Sequence, residues 1–132
     1  MYEMSIERGK IREFAAATQS SNAEYGAADP VVPITFLTTA AFLWEPEGEA
    51  DYRALGFDLA RMLHGSERFV FHGPMPRAGA TLSVSTHVGD EYTKEGSRGT
   101  MRFGTIVHEF RDPEGVLVAE QVSTLIELAG QE

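Results

Sequence analysis

The chain has 132 residues, and 20 acidic against 11 basic side chains give it a formal net charge of −9. This length favours one domain over residues 1–132. The acidic surplus excludes a generic nucleic-acid binder, because phosphate contacts need a basic patch. No cysteine is present, which excludes a disulfide framework, a thiolate nucleophile and a Cys-ligated metal.

We expect a cytoplasmic protein that does not enter a membrane. The first residues, MYEMSIERGK, lack the basic-then-apolar layout of a secretion signal. The most apolar stretch runs from Val31 to Trp44, which is too short to span a bilayer.

The first predicted helix covers residues 7–18. Its apolar side chains follow the i, i+3, i+4, i+7 spacing of one helix face, at Ile11, Phe14, Ala15 and Thr18. The polar run Ser20-Ser21-Asn22 competes for backbone hydrogen bonds, so we expect the helix to end there.

The second predicted helix covers about residues 33–44. Pro33 suits a first helical turn, where its missing N–H costs little. The side chains that follow are apolar almost all round: Ile34, Phe36, Leu37, Ala40, Ala41, Phe42, Leu43 and Trp44. A helix without a polar face is typical of a buried position, so we expect this helix at the centre of the core.

Residues 45–64 carry weaker signals. The acids from Glu45 to Asp51 predict a solvated loop. Between Tyr52 and His64 the spacing of Leu55, Leu59 and Met62 is compatible with a short helix.

From Ser66 onward the hydrophobic period is two, which predicts four strands. Phe69 and Phe71 lie on one face of the first strand. The alternating positions of the other three are Leu82, Val84, Thr86 and Val88; Met101, Phe103, Thr105 and Val107; and Val116, Val118, Val122 and Ile126.

The turns between these strands are short, which implies antiparallel neighbours. Asp112-Pro113-Glu114-Gly115 has the proline and glycine positions of a tight turn. A second face carries the polar residues Ser83, Ser85 and Arg102, so we expect only one side of the sheet to be fully buried.

Together these elements predict an α+β protein with a hot-dog fold, in which a curved antiparallel sheet wraps around one buried helix. Such a sheet supplies apolar surface around most of the helix circumference. Long strands also leave an edge that must be covered or paired. We therefore expect a dimer that is joined edge to edge.

Five segments, in this order, resemble one family over nearly the whole chain. They are GKIREFAAAT near the start, PITFL at 33–37, LHGSERFVFHGPMPRAGATL at 63–82, YTKEGSRGTMRF at 92–103 and DPEGVLVAEQVSTLI at 112–126. The family is the non-catalytic, N-terminal type of hot-dog domain in MaoC-like hydratases and dehydratases. It includes the FAS1-like dehydratase domains and small actinobacterial subunits that pair with a catalytic hot-dog chain.

The resemblance also implies where catalytic residues would stand. Catalytic members carry an Asp and a His five residues apart, which add water to an enoyl thioester or remove it in reverse. The matching positions here are Ser20 and Tyr25, and the family's His-Gly before the buried helix is Ile34-Thr35. Serine is too weakly basic for this proton transfer, and a phenol is mostly protonated at neutral pH. We therefore expect no catalytic residue in this chain.

The resemblance implies a partner subunit of an (R)-specific enoyl-thioester hydratase or (3R)-hydroxyacyl-thioester dehydratase, a lyase of fatty-acyl metabolism. The catalytic Asp and His would lie on a second hot-dog chain. The substrate, an acyl-CoA or acyl-carrier-protein thioester, brings its own CoA or phosphopantetheine, so no separate cofactor is expected. The acyl chain, its carrier and the reaction direction stay open.

Two alternatives remain at this point. One is a homodimeric hot-dog acyl-CoA thioesterase, in which Glu24 or Asp29 would have to serve as the carboxylate that activates water or attacks the thioester. The other is a homodimeric protein that binds acyl thioesters without catalysis.

Two groups of residues are candidates for substrate contact under the resemblance. The acyl tunnel would be lined near the start of the second helix by Tyr25, Pro33, Phe36 and Leu37. The phosphates of CoA, or an acidic carrier protein, would meet Lys94, Arg98 and Arg102 around the turn at Gly96, although a solubilising hairpin tip is the favoured explanation of these cations. The histidines His64, His72, His87 and His108 lack metal-ligand spacing, and no metal is expected.

Overall fold

The computed structural model describes residues 1–46 and 52–130, so most of the predicted acidic loop lies outside the described residues. The elements in chain order are β1 (Tyr2–Ser5), α1 (Arg8–Ala17), α2 (Thr39–Leu43), β2 (Met62–Phe71), β3 (Thr81–Gly96), β4 (Gly99–Arg111) and β5 (Leu117–Glu127). Short 3-10 turns lie at Ala23–Gly26, Phe36–Thr38, Tyr52–Leu55 and Leu59–Arg61.

The five strands form one antiparallel sheet in the order β1-β3-β4-β5-β2. The four predicted strands are confirmed. Strand β1 is an addition to the prediction, although Tyr2 and Met4 are buried and alternate with two exposed polar residues. The order leaves β2 at one edge of the sheet.

Helix α1 agrees with the prediction from its apolar spacing. Ile11 and Ala15 are buried, and Phe14 is partly buried against the core. The helix ends at Ala17, where the hydroxyl of Thr18 donates a hydrogen bond to the carbonyl of Phe14 at 2.9 Å.

The second predicted helix is shorter and less buried than expected. It consists of the turn at Phe36–Thr38 followed by α2. Its buried side chains are Phe36, Leu37 and Ala40, whereas Ile34, Phe42 and Leu43 are 66%, 82% and 52% exposed. The expectation of burial on all sides is therefore wrong for the single chain, because its own sheet covers only one side of this segment.

The main core lies between the helical segments and one face of the sheet, which we call the inner face. The strand register aligns Tyr2 with Val84, Val84 with Phe110 and Phe110 with Ala119 across this face. All four residues are buried, together with Phe36 and Leu37 above them.

The prediction has the wrong face inward on β4 and β5. The inner-face positions are Gly104, Ile106, His108 and Phe110 on β4, and Ala119, Gln121, Ser123 and Leu125 on β5. Arg102, which was assigned to the polar outer face, also lies on the inner face opposite Glu127. Alternation alone gives the period of a strand, and a shift of one residue exchanges its two faces.

A second, smaller core covers the far end of the inner face. It contains Leu55, Phe57, Ile106 and Leu125. The predicted helix around Leu55 is replaced by two 3-10 turns, after which β2 begins at Met62. A side chain on Gly104 would come within 2.6 Å of Leu55, so this glycine leaves room for the leucine on the sheet.

Burial separates two leucines that are otherwise alike. Leu37 is fully buried in the main core, whereas Leu59 is 59% exposed. We expect Leu37→Ala to lower the free energy of unfolding by about 2–5 kcal/mol, because it removes buried methyl groups and leaves a cavity. Leu59→Ala, the matched control, should change it by less than about 0.5 kcal/mol. Urea denaturation of both variants measures the difference, and similar losses would contradict the assignment of the core.

Candidate functional site

The two positions that match the family's catalytic pair lie after α1. Ser20 is exposed, and its hydroxyl accepts a hydrogen bond from the backbone N–H of Asn22 at 3.3 Å. Tyr25 lies in a 3-10 turn and is half-buried against the main core. Neither side chain has a charged hydrogen-bonding partner among the contacts of the described residues, so this arrangement offers no ready proton acceptor.

The structure places most of the predicted tunnel residues inside the protein. Pro33 is buried, and Phe36 and Leu37 are core residues. Phe14 packs edge-on against Phe36 with 5.5 Å between ring centres. In the single chain only Tyr25 keeps appreciable surface for a ligand.

The three predicted phosphate contacts are not brought together. Lys94 lies on the outer face, with its ammonium 5.0 Å from the ring centre of Phe103. Arg102 lies on the inner face, where it donates to Glu127 Oε1 at 3.1 Å and to the carbonyl of Leu55 at 3.2 Å. Arg98 stands in the turn between β3 and β4. Lys94 and Arg102 therefore point to opposite faces of the sheet, because successive strand positions alternate between the two faces.

Arg98 and Arg102 border an open groove of about 1420 Å³ between the β3–β4 turn and residues 127–130. Arg61 also borders it and contacts Asp58 at 3.1 Å and Glu127 at 3.5 Å. The backbone N–H of Asp58 holds the pKa of Glu127 below its usual range, with Arg102 and Arg61 acting in the same direction. The carboxylates therefore compensate much of the positive charge of this groove.

The acids required by the thioesterase alternative are held by one arginine. Arg77 lies 3.5 Å from Glu24 Oε1 and donates to the backbone carbonyl of Asp29 at 2.7 Å. These contacts tie the loop before the second helical segment to residues 72–80. The carboxylate of Asp29 lies farther from Arg77, at 3.9 Å, and its side chain is 73% exposed, so the two acids share one arginine as their ionic partner.

A polar cluster that the sequence did not single out lies on the inner face, where β2 and β5 meet. Glu67 accepts hydrogen bonds from Gln121 Nε2 at 2.7 Å and from the Ser123 hydroxyl at 2.8 and 3.0 Å. His64 Nε2 lies 2.6 Å from the same carboxylate. Gln121 Nε2 also reaches the Thr38 hydroxyl at 3.4 Å, which joins the cluster to the second helical segment.

A β-bulge brings His64 and Glu67 to the same face. Residues three apart in a regular strand point to opposite faces. Here the register shifts between His64 and Ser66, at Gly65. A side chain on Gly65 would lie 2.8 Å from Ile126 Cδ1, so only glycine fits there without displacement. The sequence signal that could have predicted this bulge is Gly65 itself, a glycine inside a strand pattern that is followed by the polar residue Glu67 at an inward position.

A buried histidine lies beside this cluster. His108 is only 6% exposed, and its Nδ1 has no hydrogen-bond partner among the described residues. The same holds for the hydroxyl of Thr86, its neighbour across the strand pair. Burial lowers the pKa of His108, the nearby Glu67 raises it, and His87 lowers it further. The net direction is downward.

Across residues 1–46 and 52–130, no three His, Asp or Glu side chains converge as metal ligands would. In the same part of the chain, no helix combines the length and the apolar character needed to cross a membrane.

Comparison with known proteins identifies the family. The model of the FAS1-like, dehydratase domain region matches residues 2–121. The chain belongs to this family. A UPF0336 protein of Parafrankia is 34% identical over 92% of this chain and 82% of its own length. The 3-hydroxyacyl-thioester dehydratase Y of Mycobacterium tuberculosis is 40% identical over 72% of this chain, which corresponds to 32% of that protein.

Solved structures show the same fold. The C-terminally truncated HadBC (3R-hydroxyacyl-ACP dehydratase) complex of Mycobacterium tuberculosis gives a TM-score of 0.70 at 23% identity, over 94% of this chain and 89% of that chain. The ChsH1-ChsH2 complex of the same organism also gives 0.70, at 18% identity, over 97% and 82%. A MaoC-like dehydratase from Phytophthora capsici gives 0.71 at 19% identity, over 99% and 47%. The chain therefore has the hot-dog fold.

The lowered pKa of the buried His108 leads to a prediction of how the free energy of unfolding of this chain depends on pH. Its pKa in the folded protein lies below the ordinary value of 6.5, so below pH 6.5 the unfolded chain binds a proton that the folded chain does not. The contribution of His108 to the free energy of unfolding is therefore fully present above this pH and is lost as the pH falls below it.

We expect the free energy of unfolding to fall between about pH 7.5 and about pH 5.5, and to fall less in His108→Gln, by at most about 1.4 kcal/mol. Urea titrations at the two pH values measure this difference. An identical fall in wild type and variant would show that His108 does not take up the proton.

Proposed function

We propose that the chain is a non-catalytic partner subunit of an (R)-specific enoyl-thioester hydratase or (3R)-hydroxyacyl-thioester dehydratase. It completes a dimer with a hot-dog chain that carries the catalytic Asp and His. The substrate is an acyl-CoA or acyl-carrier-protein thioester in the cytoplasm, and no further cofactor is needed.

The observation that carries this proposal is the pair of residues at the catalytic positions. Ser20 and Tyr25 stand where catalytic relatives have Asp and His, by the resemblance set out above. The Ser20 hydroxyl is used in a local turn, and Tyr25 packs on the core. A chain that keeps this fold without the pair is suited to support a catalytic chain rather than to replace it.

The exposed surface supports association with a second hot-dog chain. Strand β2 has ten residues and lies at the edge of the sheet, where unpaired backbone groups favour the addition of another strand. The second helical segment exposes Ile34, Phe42 and Leu43. Phe42 and Leu43 are neighbours in the chain, and exposed apolar patches are typical of interaction sites.

The known relatives point in the same direction. Dehydratase Y acts, by its name, on 3-hydroxyacyl thioesters, and this chain corresponds to about a third of it. HadBC and ChsH1-ChsH2 are complexes of two named chains. By analogy, this chain supplies one half of such an assembly, with Tyr25 beside the acyl group and Arg98 near the phosphates or the carrier protein.

The direct test is hydration of crotonyl-CoA by this chain, by a hot-dog chain with an intact Asp and His from the same genome, and by their mixture. We expect no hydration by this chain alone. The rate of hydration by the mixture should exceed that of this chain alone by at least about 100-fold, because general acid–base groups contribute that much. Full activity of this chain alone would exclude a non-catalytic role.

A surface substitution tests the proposed interface. Phe42→Asp should weaken association with the second chain about 30-fold, since a central aromatic anchor contributes about 2 kcal/mol or more. Val116→Asp is the matched control, because Val116 is also exposed but lies in the β4–β5 turn. Analytical ultracentrifugation measures both, and equal dissociation constants would argue against the helix surface as the interface.

A further inference from the structure

We propose that the outer face of the sheet, the face turned away from the helices, packs against the outer face of a second copy of this chain. The two copies are related by a two-fold axis that crosses the strands at Thr105 and Thr124. The inference does not rest on the proposed function, because it uses neither the edge of β2 nor the second helical segment.

The outer face carries apolar side chains that lie outside the cores of the chain. The strand register aligns two rows across β3, β4, β5 and β2: Tyr92, Phe103, Ile126 and Leu63 in the first row, and His87, Val107, Val122 and Arg68 in the second. Tyr92 and Leu63 are 43% and 50% exposed. Neither apolar core of the described residues contains a side chain of these two rows. Neighbouring apolar side chains on a surface are typical of interaction sites.

The spacing of the two rows favours a second copy of the chain as the partner. On β4, Phe103 and Val107 each lie two residues from Thr105. On β5, the apolar residues of the two rows lie two residues on either side of Thr124, which pairs with Thr105. A two-fold axis through this threonine row places Phe103 of one copy over Val107 of the other, and it does the same for the two apolar residues of β5. Each copy then offers the same surface to the other, as a two-fold interface requires.

The charge of these rows also favours self-association. Beyond the two apolar rows, one flanking row contains Lys94 and the other pairs Glu109 directly with Glu120. With Arg68, the paired residues of the face carry two cations and two carboxylates, whereas the whole chain has a net charge of −9. A balanced face offers no attraction to a strongly charged macromolecule, but it lets two acidic chains approach each other without repulsion.

The acidic row can accept a further cation. Glu109 and Glu120 are directly opposite each other on neighbouring strands, which is unfavourable for like charges. Arg111 lies 3.3 Å from Glu109. His72 lies 2.6 Å from Glu120. Each carboxylate therefore has one partner in its own chain, and a cation from a second chain would lower the remaining repulsion.

The two-fold axis supplies this cation. Lys94 pairs with Met101 across the strands. Met101 and Glu109 lie four residues before and four residues after Thr105. The axis therefore places Lys94 of one copy beside Glu109 of the other. Within one chain the two residues are separated by roughly 27 Å along the strands, so they can meet only between copies.

The face is large enough for a dimer. Its five rows on four strands cover roughly 19 by 34 Å, which is about 650 Å² on each copy. The two copies together would bury about 1,300 Å², a value at the lower end of the range for stable interfaces. We therefore expect a dimer that dissociates on dilution.

Analytical ultracentrifugation of the purified chain alone tests this pairing. We expect a species of twice 14.5 kDa at high concentration. Phe103→Asp should raise its dissociation constant about 30-fold, because it puts a charge between two apolar rows. Phe42→Asp, which changes the helix surface proposed to bind the catalytic chain, should leave this constant unchanged. A wild-type chain that is monomeric at about 100 μM, or a dimer that is lost in Phe42→Asp and kept in Phe103→Asp, would overturn the inference.

A charge exchange tests the position of the axis. Lys94→Glu and Glu109→Lys should each raise the dissociation constant about 5-fold, because the axis repeats the exposed ion pair twice. The double variant should return to the wild-type value, since the exchanged charges meet again between copies. A double variant that binds no more tightly than the weaker single variant would contradict the axis. Urea midpoints identify any variant that fails to fold, and these charge variants keep the inference testable if Phe103→Asp does not fold.

Cross-linking distinguishes this dimer from one that is joined at the β2 edges. The two copies of Thr105 are roughly 10 Å apart across the outer faces, but roughly 24 Å apart in an edge-to-edge dimer. The chain has no cysteine, so a short bismaleimide should join two chains of Thr105→Cys. It should not join two chains of the control Ser97→Cys, because the β3–β4 turns lie at opposite ends of the proposed dimer. No cross-link in Thr105→Cys, or the same yield in both variants, would exclude the outer face as the interface.

Discussion

The structure depends on one constraint: the sheet of this chain buries only one side of the apolar segment at 33–44. An apolar helical segment can be stable in water only if its surface is buried, because each exposed large side chain forgoes about 1.5–3 kcal/mol of transfer free energy. The sheet of this chain covers Phe36, Leu37 and Ala40. It leaves Phe42 almost entirely in solvent. A second surface over these side chains would lower this cost, and the edge position of β2 is compatible with the partner chain proposed above.

The inner face is unusual in carrying polar groups where the strands could have been apolar. Glu67, Gln121 and Ser123 satisfy one another, so their burial costs little beyond the order it imposes. His108 is different, because its Nδ1 is buried without a hydrogen-bond partner among residues 1–46 and 52–130. Such a group has a cost of about 1–3 kcal/mol.

The sequence predicts those parts of the fold that depend on local spacing. The stripe on α1, the Pro-Gly turn before β5 and the positions of four strands follow from residue types and period. The inward face of β4 and β5 does not follow, because Met101, Phe103 and Val107 are as apolar as Ile106 and Phe110. The hairpin register with β3 decides which set faces the helices, because a register shift between Val88 and Glu91 pairs Val88 with Ile106 rather than with Val107.

The candidate site is harder to predict, because its groups come from distant segments. His64 and Glu67 read as an ordinary i, i+3 pair on opposite sides of a strand until the bulge at Gly65 is known. Gln121 and Ser123 become relevant only when β5 pairs with β2 across more than 50 residues of sequence, as the separations of 54 and 56 residues in their contacts with Glu67 show. For the predicted cations the difficulty is a different one, since Lys94 and Arg102 are close in sequence but lie on opposite faces of the sheet.

Charged and uncharged polar groups take different places around the main core. Ser20 and Tyr25, at the positions that match the family's catalytic pair, are uncharged at neutral pH, so no ionised side chain has to be desolvated beside the core there. The His64–Glu67 contact lies instead at the edge strand, where the side chain of His64 is 57% exposed and solvent lowers the cost of a charge. The bulge at Gly65 places both side chains on the inner face, and the hydrogen bonds from Gln121 and Ser123 then hold Glu67 in position, so the edge of the sheet can carry charge without an unpaired buried carboxylate.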